Sequence, residues 1–187
     1  ETGARISGAR QWIHVCSTRL LTLLDCHPRR GVEATDAMGV LPGFEGVAMH
    51  DRWKPYWRYG CDHSICGAHV LRDLAAVAET PSQAAWAEAM GRLLIDAKHA
   101  TEQAADAGEP AVGAAERERL RARYDEIVAD GIAANPAPLR WSGRTALERQ
   151  SFNLAVALAD HRTRPSATST TLSCRGTTTR PSATSGW

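Results

Sequence analysis

No run of apolar residues in this chain approaches the roughly 18 needed to cross a bilayer, and no signal peptide opens it. A helical membrane anchor is therefore not expected, and the cytoplasm is the default location. There is no excess of basic charge either: the formal net charge is +1. That excludes a global electrostatic footprint for nucleic acid, so any such contact must come from a local patch. An even set of cysteines is missing as well. The five present are unevenly spread, which argues against a secreted disulfide framework. The stretch 163–187 lacks any acid and has Leu172 as its one large aliphatic residue, and the heptad Thr-Arg-Pro-Ser-Ala-Thr-Ser occurs at 163 and again at 179. Such a segment cannot bury enough apolar surface to offset its ordering entropy, so it is expected to be disordered. A basic tail that is phosphorylated or binds nucleic acid is the alternative. The chain also begins on Glu1 rather than Met, inside what reads as a strand, and is expected to be a piece of a longer protein.

What is present reads as one domain of 187 residues with a sizeable core. Residues 1–17 suggest two strands about a turn at Ser7-Gly8. In Gln11 to Cys16 both alternating sets are largely apolar, which predicts a strand covered on both faces. Thr18-Arg19 is expected to turn the chain into a third strand, Leu20 to Cys26, paired antiparallel. A short helix follows between Gly31 and Gly39, with Gly39 at the C-terminal cap. Leu41-Pro42-Gly43 then leads into a buried strand ending at Asp51, and a further short strand is expected from Cys61 to Cys66. From Ala68 onward the periodicity is helical. Thr80-Pro81 marks a helix start. Gly108-Glu109-Pro110 and Asn135-Pro136-Ala137-Pro138 are breaks, and a last helix runs from about Thr145 to Asp160. The run Glu116-Arg117-Glu118-Arg119 reads as a solvated helix face.

Val47 to Met49 is a short apolar run that delivers Asp51 to the end of a strand. His50, Arg52, Lys54, Trp53, Tyr56 and Trp57 surround that one acid with charge and aromatic surface. The mixture suits an acid that holds a cation while neighbouring bases hold a phosphodiester, although a solvated turn Asp is the plain alternative.

His50-Asp51-x-Trp53-x-x-Tyr56, followed by Cys61-x-His63-x-x-Cys66-x-Ala68-His69-x-x-Arg72-x-Leu74, resembles the DDE transposases of the bacterial insertion sequence 66 family around their second catalytic aspartate. Glu1-Thr2-Gly3-x-Arg5 and Leu41-Pro42-Gly43-Phe44-x-Gly46 carry the resemblance further, and it spans Glu1 to about His161. Asp73 stands where the family more often has Glu. The resemblance implies a partial ribonuclease H-like α/β core over 1–67, a largely helical insertion over 68–162, and the tail 163–187. It also implies cutting and joining of DNA ends with two magnesium or manganese ions held by three carboxylates. Asp51 is then the catalytic and metal-holding residue, with His50, Lys54, His69 and Arg72 supporting the DNA or the active site. The partners implied are insertion-sequence DNA ends and a possible second copy of the chain.

The first aspartate of that set would precede Glu1, and the third acid, a glutamate in a D-N-N-x-x-E segment, is absent. Moving the reading frame back one base from about Thr163 lets Thr177-Thr178-Thr179 become Asp-Asn-Asn and Arg180-Pro181-Ser182 become Gln-Ala-Glu. The tail is accordingly read as a frameshift product, and the chain as inactive in strand transfer. Glu1 is set aside as a substitute acid because a flexible terminal residue has no rigid strand behind it. Glu148 is set aside as an ordinary helix-surface residue. Two other readings stay open. Cys61, His63, Cys66 and His69 could ligate zinc as a small DNA-binding module, though structural zinc sites usually join two pairs across a longer loop. The fragment could also act without catalysis, by gripping DNA or full-length copies. Cys16 and Cys26 read as small core residues. A Cys66–His69 nucleophile pair lacks a visible orienting partner.

Overall fold

A computed structural model describes residues 1–138 and 140–163. It is an α/β structure with five α-helices and two small sheets among the described residues, and none of its helices is long and apolar enough to cross a membrane. The chain divides into two compact units, Glu1–Ile65 and Cys66–Trp187. The tail reading, both disorder and frameshift, lies outside the described residues except at Thr163, which closes the last helix.

In the first unit, β1 (Thr2–Ile6), β2 (Ala9–Ser17) and β3 (Thr22–His27) form an antiparallel sheet in that order. Ser7 and Gly8 make the two-residue turn between β1 and β2, with φ of 50° and 80°. Positive φ at both central positions matches the right-handed twist of the flanking strands. β3 starts two residues later than the sequence suggests. The Thr18 hydroxyl accepts the Leu20 and Leu21 N–H groups at 3.2 and 3.0 Å, so these residues belong to the loop rather than the ladder.

The sheet is also not covered on both faces. Trp12 and His14 lie under the segment that follows β3: Arg30 sits over the Trp12 ring at 5.3 Å, and His14 Nε2 lies 3.4 Å from the Arg29 carbonyl oxygen. On the opposite face Val15 and Leu24, paired across the strands, remain 51% and 65% exposed. Alternating apolar residues identified the strand but could not say whether both faces find a cover.

After β3 come α1 (Val32–Ala37) and a short 3-10 turn at Leu41–Gly43. Gly39 follows α1 with φ of 74°, the left-handed residue that ends the helix. β4 (Val47–His50) and β5 (Asp62–Ile65) then pair in parallel as a separate two-stranded sheet. β4 is therefore not a central strand among the described residues. Nor is it deeply buried, since Val47 and Met49 are about half exposed.

The second unit is helical: α2 (Gly67–Ala78), α3 (Pro81–Asp106), α4 (Ala114–Ala134) and α5 (Ala146–Thr163). Pro81 opens α3 at a position where its missing N–H costs nothing. Leu74 and Val77 of α2, Met90 and Leu94 of α3, and Ile127 of α4 repeat at helical spacing and are buried. α4 comes close to α3 at Gly131, where an added Cβ would meet the Trp86 ring at 3.0 Å. The Tyr124 hydroxyl donates to the Leu158 carbonyl at 2.9 Å and ties α4 to α5. The charged run on α4 forms exposed pairs, Glu116 with Arg119 at 2.6 Å among them. Pairs of this kind stabilise little.

Candidate active site around Asp51

β4 ends at His50, and the chain turns sharply through Asp51 and Arg52. Arg52 has φ of 71°, a left-handed conformation that costs a side-chain-bearing residue roughly 1–2 kcal/mol. Bonds on both sides hold it there. Its N–H donates to His50 Nδ1 at 3.2 Å, and its carbonyl accepts the Trp57 indole N–H at 3.2 Å. The Trp53 N–H donates to Asp51 Oδ1 at 3.0 Å, a local turn that an Asp side chain is suited to make. No described residue is hydrogen-bonded to the second carboxylate oxygen of Asp51.

Two histidines brace this turn through a chain with one consistent set of tautomers. A carbonyl oxygen can only accept, so His63 Nε2 donates to the Tyr59 carbonyl at 3.1 Å. The Arg52 N–H can only donate, so His50 Nδ1 accepts. The remaining contact, 3.1 Å between His50 Nε2 and His63 Nδ1, is then a bond from His50 to His63. Trp57 packs edge-on against His50 at 4.7 Å, and Tyr56 lies 5.0 Å from the same ring. His50 thus positions the Asp51 turn rather than facing solvent; it is 8% exposed. Lys54 stands exposed in the 3-10 turn Lys54–Arg58, without an ion pair among the described residues.

Glu1 corrects the sequence reading. Its side chain is 7% exposed and held by three partners: His14 Nδ1 at 3.2 Å, Arg30 Nε at 2.7 Å and the Tyr56 hydroxyl at 3.0 Å. It is held by these contacts and is not the flexible terminal residue the sequence suggests. Arg30 in turn lies over the Trp53 ring at 4.2 Å. Burial, then the charge and hydrogen bond of Glu1 and the charge of Asp51, push the Tyr56 hydroxyl well above the ordinary tyrosine range, against the opposing pull of Arg30. A second buried tyrosine, Tyr59, donates to Asp36 at 2.8 Å; burial and that bond push it up to about 12. Neither Glu1 nor Asp36 could be identified from sequence spacing, because their partners lie 13 to 55 residues away.

The alternative zinc ligands fare differently. Both ring nitrogens of His63 are already engaged. Burial pushes the Cys61 thiol up, away from the thiolate that zinc takes. Cys66 and His69 belong to the second unit, where Cys66 caps α2 and His69 Nδ1 is buried without a partner among the described residues. Among the described residues, no three His, Cys, Asp or Glu side chains gather to hold a metal ion. Arg72, like His69, lies on α2. Glu148 closes a capping box with Thr145, accepting its N–H at 2.8 Å, and is an exposed helix-start residue as the sequence suggests.

A family model described as "Transposase IS66 family" matches residues 1–164. The chain belongs to that family. No curated protein and no solved structure matches it. For an IS66 transposase, a DNA partner and a divalent-metal requirement are the general expectation. Asp51 fits one part of that requirement, an oxygen ligand with one carboxylate oxygen unengaged by the described residues. A single carboxylate does not make a site for a metal pair, so the described residues do not on their own fit the complete group.

Proposed function

We propose that this IS66 transposase chain is the Asp51-bearing portion of a DDE enzyme that cuts and joins insertion-sequence DNA ends. On this reading Asp51 is one of three carboxylates and a ligand of magnesium or manganese. Asp51 would contribute one oxygen ligand, and the ions would supply activation of the attacking oxygen and stabilisation of the leaving oxygen of the phosphodiester. Lys54, His69 and Arg72 hold DNA phosphates, and His50 orients the Asp51 turn. The core of the full enzyme is ribonuclease H-like, spanning 1–67 here, with 68–162 as its helical insertion, and two copies of the chain associate on DNA.

The observation that carries the reading is the Asp51-Arg52 turn. A carboxylate at the C-terminal end of a parallel strand rests on strained backbone pinned by His50 and Trp57. Backbone strain retained in this way is characteristic of functional positions.

With one carboxylate of three, this chain binds DNA but does not transfer strands by itself. The test is strand transfer on element ends with magnesium or manganese, beside retention of the same DNA on immobilised protein. Salt-sensitive retention without strand transfer is expected. Strand transfer that disappears in Asp51→Ala would show that another acid completes the site, and absence of retention at low salt would end the DNA-binding assignment. The zinc reading predicts one zinc per chain in protein purified without added metal; none is expected.

A further inference from the structure

The second unit holds a cavity of about 320 Å³ where the start of α3 meets the segment before α5. Its size falls at the lower end of small-molecule sites, which run from roughly 300 to 1,000 Å³. One wall is built by a hydrogen-bond chain whose directions are determined. The Trp86 indole nitrogen can only donate, so the atom 2.7 Å from it is the amide oxygen of Gln83. That oxygen also lies 2.7 Å from the Asn135 side chain, which must therefore present its NH₂ there. The same NH₂ donates to the Gly131 carbonyl at 2.8 Å. Asn135, 8% exposed, is thereby locked with its Oδ1 as the remaining group, and that oxygen accepts no hydrogen bond from a described residue.

Another wall is the Trp141 indole, 40% exposed and set edge-on against Phe152 at 4.9 Å. Trp141 also borders a second cavity, with Arg149, whose Nη2 donates to the Trp141 carbonyl at 3.0 Å. Arg144 lines the first cavity, paired with Glu148 at 2.9 Å, and Arg149 borders the second, so the segment 140–149 keeps a net positive charge from three arginines against one acid. The combination is an aromatic plane with an open side, a preset hydrogen-bond acceptor and a positive rim. It suits a planar ring that carries an N–H edge and is attached to an anionic chain.

We infer that this cavity takes a single unpaired nucleobase of a DNA strand. The base stacks on Trp141 and its amino edge donates to Asn135 Oδ1, while the arginines meet the adjoining phosphates. This rests on the DNA-binding reading above and adds a base-specific site to it.

The test uses the whole chain and two single-stranded oligonucleotides of equal length. One is of adenines with a central 2-aminopurine, which bears an exocyclic amino group, and the other is abasic throughout. Quenching of the 2-aminopurine on binding is expected, together with binding of the base-bearing strand roughly tenfold tighter than the abasic one. Trp141→Ala should remove both effects, and Trp141→Phe should keep most of each. Equal binding of the two strands, or a Trp141→Ala protein that binds and quenches like the unaltered chain, overturns the assignment. If both strands are retained equally in a salt-sensitive manner, only the base site fails. If neither strand nor a duplex is retained, the DNA-binding reading fails with it.

Discussion

Glu1 gathers groups from β2, from the segment after β3 and from the 3-10 turn onto one nearly buried carboxylate. Removing it leaves Tyr56 and His14 facing an empty space, so Glu1→Ala should lower unfolding stability by about 1–3 kcal/mol. Urea denaturation followed by tryptophan emission reads this directly, because Trp12 and Trp53 flank Arg30. An unchanged midpoint would mean the three bonds gain nothing over water. Tyr59 gives a pH dependence with a definite sign. Its hydroxyl is held protonated up to about 12 in the folded chain, against about 10 when unfolded. The raised value favours the folded state fully below pH 10, and that contribution is lost as the pH climbs from 10 through 12. Melting temperature should therefore fall over that interval, and fall less in Tyr59→Phe.

At the scale of elements, α3 and α4 approach closely because Gly131 has no side chain. Alanine there would gain up to about 1 kcal/mol of helix propensity. It would also press on a Trp86 ring that is 4% exposed and tethered to Gln83, so the ring has little room to yield. Overpacking of this kind costs about 1–3 kcal/mol. Gly131→Ala should lower the thermal midpoint, whereas a rise would show that Trp86 yields. Leu74→Ala on α2, 2% exposed, should cost about 2–5 kcal/mol in the same measurement.

These helices were legible in the sequence because burial follows a period that any window displays: Met90, Leu94 and Ala97 on α3, with Pro81 as punctuation. The first hairpin was legible from Ser7-Gly8. The length of β3 was not, because a single hydroxyl at Thr18 draws two N–H groups away from the ladder. The strand order of β4 and β5 was not either, since parallel pairing across 15 residues leaves no local mark. The position of His50 and Asp51 at the end of β4 could be read from the abrupt end of an apolar run. The Trp86–Gln83–Asn135 chain could not, because it closes over 52 residues.

Across the whole molecule, a net charge of +1 means that DNA can be held only through a few local cations. The logarithm of the binding constant should fall with log salt by roughly one unit for each phosphate neutralised. Lys54→Ala and Arg72→Ala should each reduce that slope by about 1 while weakening all sequences alike. A slope unaffected by either would place the phosphate contacts elsewhere. The open face of the first sheet has a different consequence, for handling rather than chemistry. Leu20 and Leu21 at the hairpin tip are 86% and 75% exposed, next to Leu24 on β3, the last strand of its sheet. An edge strand with an exposed greasy face is a template for pairing with a neighbouring chain. Concentrated stocks should therefore turn turbid with time at rest, and Leu24→Lys, which changes no contact near Asp51, should keep them clear.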